Sequence, residues 1–347
     1  MKQRSVILAI SIMILFTGCM PEKPAQGNAE ASSEMQSDIS SVLPESSQEI
    51  SSVVYSSTEQ SSIPVSSAEA SSKQPPVSSK IQSDITPGKL SVDEAFAAES
   101  DLLSELKQIL SGYGDHISVY YEDLETGRKI EFDSNRVFHP ASVIKVPYMM
   151  YIYELAEQGK ANLGRTFTYT EKNFREGAGK ITEMPYGSTF TTEQLIEYSI
   201  RFSDNIAFYM LRDVYTPAKF QSYAKELGVS VGSNPMNRIT ARDCAIYYHR
   251  VYDKAKQGDA NANKLLGYMK KTKYNQQIQK GVPGITIAHK YGWWNGNFHD
   301  AAIVYDTHPY MLIIFTNCDP EAEPSFQIFK SVTEVIQQLH TAQIREN

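Results

Sequence analysis

From about Met20 to Pro87 the sequence is dominated by Ser, Glu, Gln and Pro, with serine pairs recurring as in SSVLPESSQEISSVVYSSTEQSS. This stretch limits what the rest can be. It holds too little apolar surface to offset the entropy lost on ordering, so disorder is expected there. A folded body is expected only over residues 90–347, enough for one large domain with a sizeable core.

The N-terminus has a separate logic. Lys2 and Arg4 precede an apolar run from Val6 to Phe16, which ends in Thr17 and Gly18 directly before Cys19. The run is shorter than the roughly 20 residues a membrane-spanning helix needs, and its layout suits a secretory signal peptide over residues 1–18. The stretch Leu15-Phe16-Thr17-Gly18-Cys19 resembles a bacterial lipobox, which implies lipidation of Cys19 after cleavage. Residues 19–89 would then be a tether with a root-mean-square span of about 45 Å. The domain would sit on the outer face of a bacterial cell membrane. Two further cysteines, Cys244 and Cys318, show no framework or metal spacing, and free thiols are expected although one disulfide is conceivable. A net charge of −7 with mixed signs gives no reason to expect nucleic acid as a partner. A monomer is expected.

Within residues 90–347 the hydrophobic period changes in a definite order. VDEAFAAESDLLSELKQIL, from Val92 to Leu110, has helical spacing. HISVYYEDLETGRKIEFD reads as two strands about a Thr126-Gly127 turn. Ser142 to about Lys271 reads as mostly helical. GITIAHKYG, HDAAIVYD and YMLIIFTN then read as three strands, divided by Asn295-Gly296 and His308-Pro309. An amphipathic helix over Phe326–Leu339 closes the chain. The expected class is α+β: an antiparallel sheet of about five strands, terminal helices on one face, and an inserted helical lobe.

Three short motifs fall on this frame. Ser142 and Lys145 form a Ser-x-x-Lys pair at the start of an apolar helix. Positions three apart share a helix face, so the amine is within reach of the hydroxyl. Alone, the pair is equally a helix-capping serine with a surface lysine, and Ser104/Lys107 and Ser222/Lys225 repeat the spacing. Ser203-Asp204-Asn205 lies 61 positions after Ser142, between two helical segments, where a turn cluster is the plain reading. Lys290-Tyr291-Gly292 ends the first strand after the helical block. No His-Glu-x-x-His, Gly-x-Ser-x-Gly elbow or phosphate loop is present, so neither a metal nor a cofactor is expected.

In this order and at this spacing the set resembles the class A β-lactamases and penicillin-binding proteins. The resemblance spans residues 92–345, and HKYGWWNGNFHDAAIVY is similar to that family's Lys-Thr-Gly strand and its partner. It implies Ser142 as the acylated nucleophile, Lys145 as its base, Ser203 as a proton relay to the leaving nitrogen, and Asn205 as a ligand of the substrate amide. Lys290 would supply a second cation and attract an anionic substrate group, with Tyr291 and Gly292 beside it. The oxyanion hole would be the backbone amides of Ser142 and Trp293, where such donors are commonly worth about 3 kcal/mol.

Two departures qualify this expectation. The region after Ser203, KELGVSVGSNPMNRITARDCAIYY, lacks the Glu-x-x-Leu-Asn pattern that carries the family's deacylating carboxylate, and Ser203 to Lys290 is only 87 positions. Asp243 suits a helix capping box with Thr240, and Glu226 a helix surface. Slow deacylation is therefore expected. Tyr291 stands where the family has Thr or Ser, which weakens the case for carboxylate recognition there. The substrate class implied is a β-lactam or a peptidoglycan-type peptide. The alternatives are a D,D-peptidase-like enzyme and a non-catalytic lipoprotein that binds a wall peptide or partner.

Overall fold

The structure is a computed structural model that describes residues 88–231, 234–318 and 323–345. The leader, Cys19 and the serine-rich tether lie outside the described residues. Six strands form one antiparallel sheet in the order β1 (Leu90–Val92), β3 (Lys129–Phe132), β2 (Ile117–Asp123), β8 (Tyr310–Thr316), β7 (Asn297–Val304) and β6 (Ile287–Trp294). The expected five strands are all present, and β1 is the addition. It ends at Val92, the first residue of the stretch expected to be helical. Asp93 accepts a bond from Ala95 N at 3.1 Å and caps a short 3-10 turn over Glu94–Phe96. Asp favours such turns over helix interiors, so α1 begins only at Ser100 and runs to Tyr113.

Alternate residues of the central strands serve two different cores. Ile117, Val119 and Tyr121 of β2 and Tyr310, Leu312 and Ile314 of β8 face α1 and α9 (Glu323–Arg345). Met311, Ile313 and Phe315 of β8 face the helical lobe. Burial on both faces accounts for the unbroken apolar run YMLIIFT.

The lobe contains α2 (Lys145–Glu157), α3 (Thr192–Arg201), α4 (Asn205–Val214), α5 (Pro217–Glu226), α6 (Ala241–Lys256) and α7 (Ala260–Met269). A two-stranded sheet, β4 (Thr166–Thr168) with β5 (Thr189–Thr191), lies between α2 and α3 in the chain, and the one-turn α8 (Ile278–Gly281) precedes β6. Residues Lys145 to Glu154 of α2 are all buried, as in a helix surrounded by others. The β6–β7 hairpin turns on Asn295 and Gly296, both with positive φ (44° and 74°), as an Asn-Gly turn requires. β6 is one of the sheet's two edges, β1 the other.

Candidate active site

The lip of the site is the turn that leads into α2. Ala141, at φ 47°, swings the chain into a 3-10 turn over Ala141–Ile144, and α2 follows from Lys145. His139 ties this turn to β7: its amide donates to Asn297 Oδ1 at 3.2 Å, and His299 Nε2 lies 2.8 Å from its carbonyl. The N-cap positions of the two helix starts are Pro140 and Ile144, so the plain reading of Ser142 as a cap does not apply. Ser104, by contrast, donates to Ser100 O at 2.7 Å, an ordinary bond within exposed α1.

Gly292 brings β6 against Ser142. A Cβ there would lie 2.8 Å from Ser142 N and 3.0 Å from Val143 N. No side chain fits, so the backbone at Gly292 and the Ser142 amide approach closely because residue 292 is glycine. Gly292→Ala is expected to separate them. A melt should show a loss of about 1–3 kcal/mol from overpacking, and Ser142 acylation should fall by roughly tenfold or more through the oxyanion hole.

The second motif is a turn under backbone strain. Ser203 has φ 51°, sparsely populated for a residue with a Cβ. Asp204 caps α4 and also clamps a distant loop: its carboxylate accepts from Ala207 N at 2.9 Å, Lys180 N at 2.6 Å and Ile181 N at 2.8 Å. Asn205 continues the clamp, donating Nδ2 to Glu176 O at 3.0 Å and its amide to Ala178 O at 2.9 Å. This loop, Arg175-Glu176-Gly177-Ala178-Gly179, was not singled out in the sequence. Its signal is there: a Cβ at Gly177 or Gly179 would meet Asn205 Nδ2 at 2.6 Å or the Asp204 carboxylate at 2.8 Å.

Two buried lysines converge on Ser203. Lys145 Nζ donates to Ser203 O at 2.7 Å and Asn205 Oδ1 at 2.8 Å, and lies 3.5 Å from Ser203 Oγ. Lys290 Nζ donates to Ser203 Oγ at 2.9 Å and Tyr291 O at 2.8 Å. None of these donations goes to Ser142 Oγ. Burial brings the Lys145 ammonium down to about 7, with Asp204 acting in the opposite sense. Burial, then repulsion from Lys145, also holds Lys290 well below its ordinary value. The pair therefore disfavours two charges at once, and an amine able to accept a proton at neutral pH is present.

Tyr291 changes the other end. Its ring lies 4.6 Å from that of Tyr274 and 4.6 Å from Lys290 Nζ, and Lys290 is 0% exposed. Burial, then the Tyr274 hydroxyl, raises the Tyr291 phenol, while the Ser203 hydroxyl lowers it. Tyr291 does not line the open cleft beside Ser142. The cleft encloses about 430 Å³ and is bordered by Ser142, Lys145, Asn205, Trp293, Trp294 and the rim of α4. Ser142, Lys145, Ser203, Asn205, Lys290, Gly292 and Trp293 thus gather in one place, with Tyr291 packed over Lys290 instead of lining the cleft.

Asp243 and Glu226 lie elsewhere. Asp243 accepts from Ser230 N at 2.7 Å and Oγ at 3.0 Å, and its own amide donates to Thr240 Oγ1 at 3.0 Å, a structural post. Glu226 borders a separate concavity of about 690 Å³ beside α2 and α5, lined by none of Ser142, Lys145, Ser203, Asn205 and Lys290. Cys244 and Cys318 are both free. Among the described residues no group of three or more His, Cys, Asp or Glu side chains gathers as metal ligands would.

Known proteins are similar to this chain in sequence and in fold. Residues 101–339 match the model of the beta-lactamase enzyme family. A β-lactamase of Streptomyces lavendulae is 25% identical over 255 residues, 66% of this chain and 84% of that protein. The β-lactamase ROB-1 of Haemophilus influenzae is 27% identical over 152 residues, 44% of this chain and 48% of its own length. Among solved structures, a PBP-A mutant determined as its acyl-enzyme complex with penicillin G superposes with a TM-score of 0.64 at 21% identity, covering 70% of this chain and 97% of that one. A β-lactamase from Sphaerobacter thermophilus gives 0.61 at 20%, covering 69% and 96%. At such identities these structures share the fold.

Proposed function

The chain belongs to the beta-lactamase enzyme family and is a β-lactamase-like serine hydrolase; from this we propose that it acts through an acyl-Ser142 intermediate and releases the acyl group slowly. Ser142 Oγ attacks the substrate carbonyl as its proton passes to neutral Lys145. The oxyanion forms against the amides of Ser142 and Trp293. Ser203, bonded to Lys290 and 3.5 Å from Lys145 Nζ, hands a proton to the leaving nitrogen, so the C–N bond breaks as the ester forms. Asn205 holds the acyl-side amide.

The observation that carries this reading is the double-lysine contact on Ser203 beside an uncapped Ser142. Slow release is supported by where the acids are. Asp243 is engaged by Ser230, and the carboxylate that borders the cleft, Glu176, is exposed on its rim. The acyl donor is proposed to be a β-lactam or a peptidoglycan-type peptide, reached from a lipid anchor on Cys19 outside the cytoplasm, by a monomer. Steady-state hydrolysis of benzylpenicillin tests the release step. Turnover is expected below about 0.01 s⁻¹, against the roughly 1–10³ s⁻¹ common among enzymes. Turnover of many per second would contradict it.

A further inference from the structure

The cleft carries two arginines that nothing in the reaction uses. Arg175, in the loop clamped by Asn205, and Arg212, on α4, hold their guanidinium carbons 5.3 and 4.8 Å from the centre of the same Tyr209 ring. Both residues border the cleft with Ser142 and Asn205. Arginine ion pairs among the described residues involve Arg136, Arg201, Arg242 and Arg250; Arg175 and Arg212 form none. Arg175 donates Nη1 to the carbonyls of Lys172 and Phe174 at 3.0 and 2.6 Å, and the Arg212 Nε is buried without a partner. A buried guanidinium donor with no acceptor is rare and costs stability unless a ligand supplies one. The opposing charge on the rim, Glu176, is exposed, and among the described residues it forms no ion pair with either.

The position of these arginines fixes which part of a substrate they face. Asn205, Phe208, Tyr209 and Arg212 recur at helical spacing along one face of α4. At 1.5 Å per residue, Arg212 stands about 10 Å along the helix from Asn205. The leaving-group side is the other direction, toward Ser203 and Lys290. There the lysine is wholly buried with Tyr291 over it, so an incoming carboxylate meets a ring before it meets a cation.

Resting on the acyl-Ser142 reading, we infer that Arg175 and Arg212 form an anion subsite on the acyl side of the cleft, and that the substrate class is an acyl donor whose acyl side chain bears a carboxylate. Recognition of charge is thereby moved from Lys290 to α4. Arginine suits the task, since its planar fork matches a carboxylate in bidentate geometry.

The test uses the full-length chain and two penicillins that differ only in an acyl side-chain carboxylate, benzylpenicillin and α-carboxybenzylpenicillin. Labelling rates at Ser142 are read by intact mass. The carboxylated compound is expected to label about five- to tenfold faster, the size of one partly exposed charge-assisted contact. The ratio should fall toward one in Arg212→Gln or in Arg175→Gln, and Arg212→Lys should keep part of it. Arg175 is in a loop, so its variant carries the test if Arg212→Gln fails to fold. A wild-type ratio near one, or a preference that survives both glutamine variants, overturns the subsite and leaves the acylation reading standing. Labelling by neither compound overturns both.

Discussion

Lys145→Met is expected to slow acylation of Ser142 by about 10²–10⁴-fold, the usual worth of a positioned general base, and to remove its dependence on pH near neutrality. In the proposed mechanism the base is the neutral amine. Burial holds Lys145 at about 7, so the fraction able to accept a proton grows as pH rises through that value. The acylation rate should therefore climb from pH 6 to 8 and level off above. Met is close to Lys in volume and carries no charge, so a retained melting temperature separates loss of the base from loss of the fold. A variant that keeps both its rate and the inflection would remove Lys145 from the mechanism.

Ser142→Ala should cost on the order of 10⁶-fold, the size of effect seen when a nucleophile that acts as a unit with its base is removed. In practice no covalent adduct should form. The same variant should melt within about a degree of the wild type. Ser142 Oγ caps neither helix start, so its removal strands no buried partner. Stability unchanged and acylation abolished is the signature of a group kept for reaction. A large drop in stability would mean that the hydroxyl has a structural task.

Much of this frame was legible because the sheet and the motifs leave local signals. The alternation in β2, the Asn-Gly turn and the apolar runs of β7 and β8 located the strands. The three motifs located the residues that now surround Ser203. What was not legible depends on contacts between parts of the chain remote in sequence. Asp204 read as part of a turn cluster, yet two of its three backbone partners are the amides of Lys180 and Ile181, 24 and 23 positions away. The loop beginning at Arg175 looked like an ordinary connection, because its importance is the room its glycines leave for Asp204 and Asn205. Tyr291 was recognisable as bulky, but the direction of its ring is set by Tyr274, in a stretch with no periodicity. The start of α1 was misjudged for a local reason, since Asp93 satisfies a turn amide in place of a helix.

The burial of Lys290 ties these points together. Lys290 has its amine on Ser203 Oγ and an aromatic ring over it, while the cleft is bordered on one side by α4, where the proposal puts the acyl group. The proposed mechanism divides the labour between the two lysines, with Lys145 taking the proton from Ser142 and Lys290, bonded to Ser203 Oγ at 2.9 Å, orienting Ser203 to give one up.

The most direct test of this account is the intact mass of the full-length chain incubated with benzylpenicillin over time, with the adduct located by peptide mapping and Ser142→Ala run alongside. The account predicts a mass increase of one whole penicillin, carried on Ser142, persisting for minutes or longer and absent from the variant. No adduct, or an adduct on another residue, would contradict it.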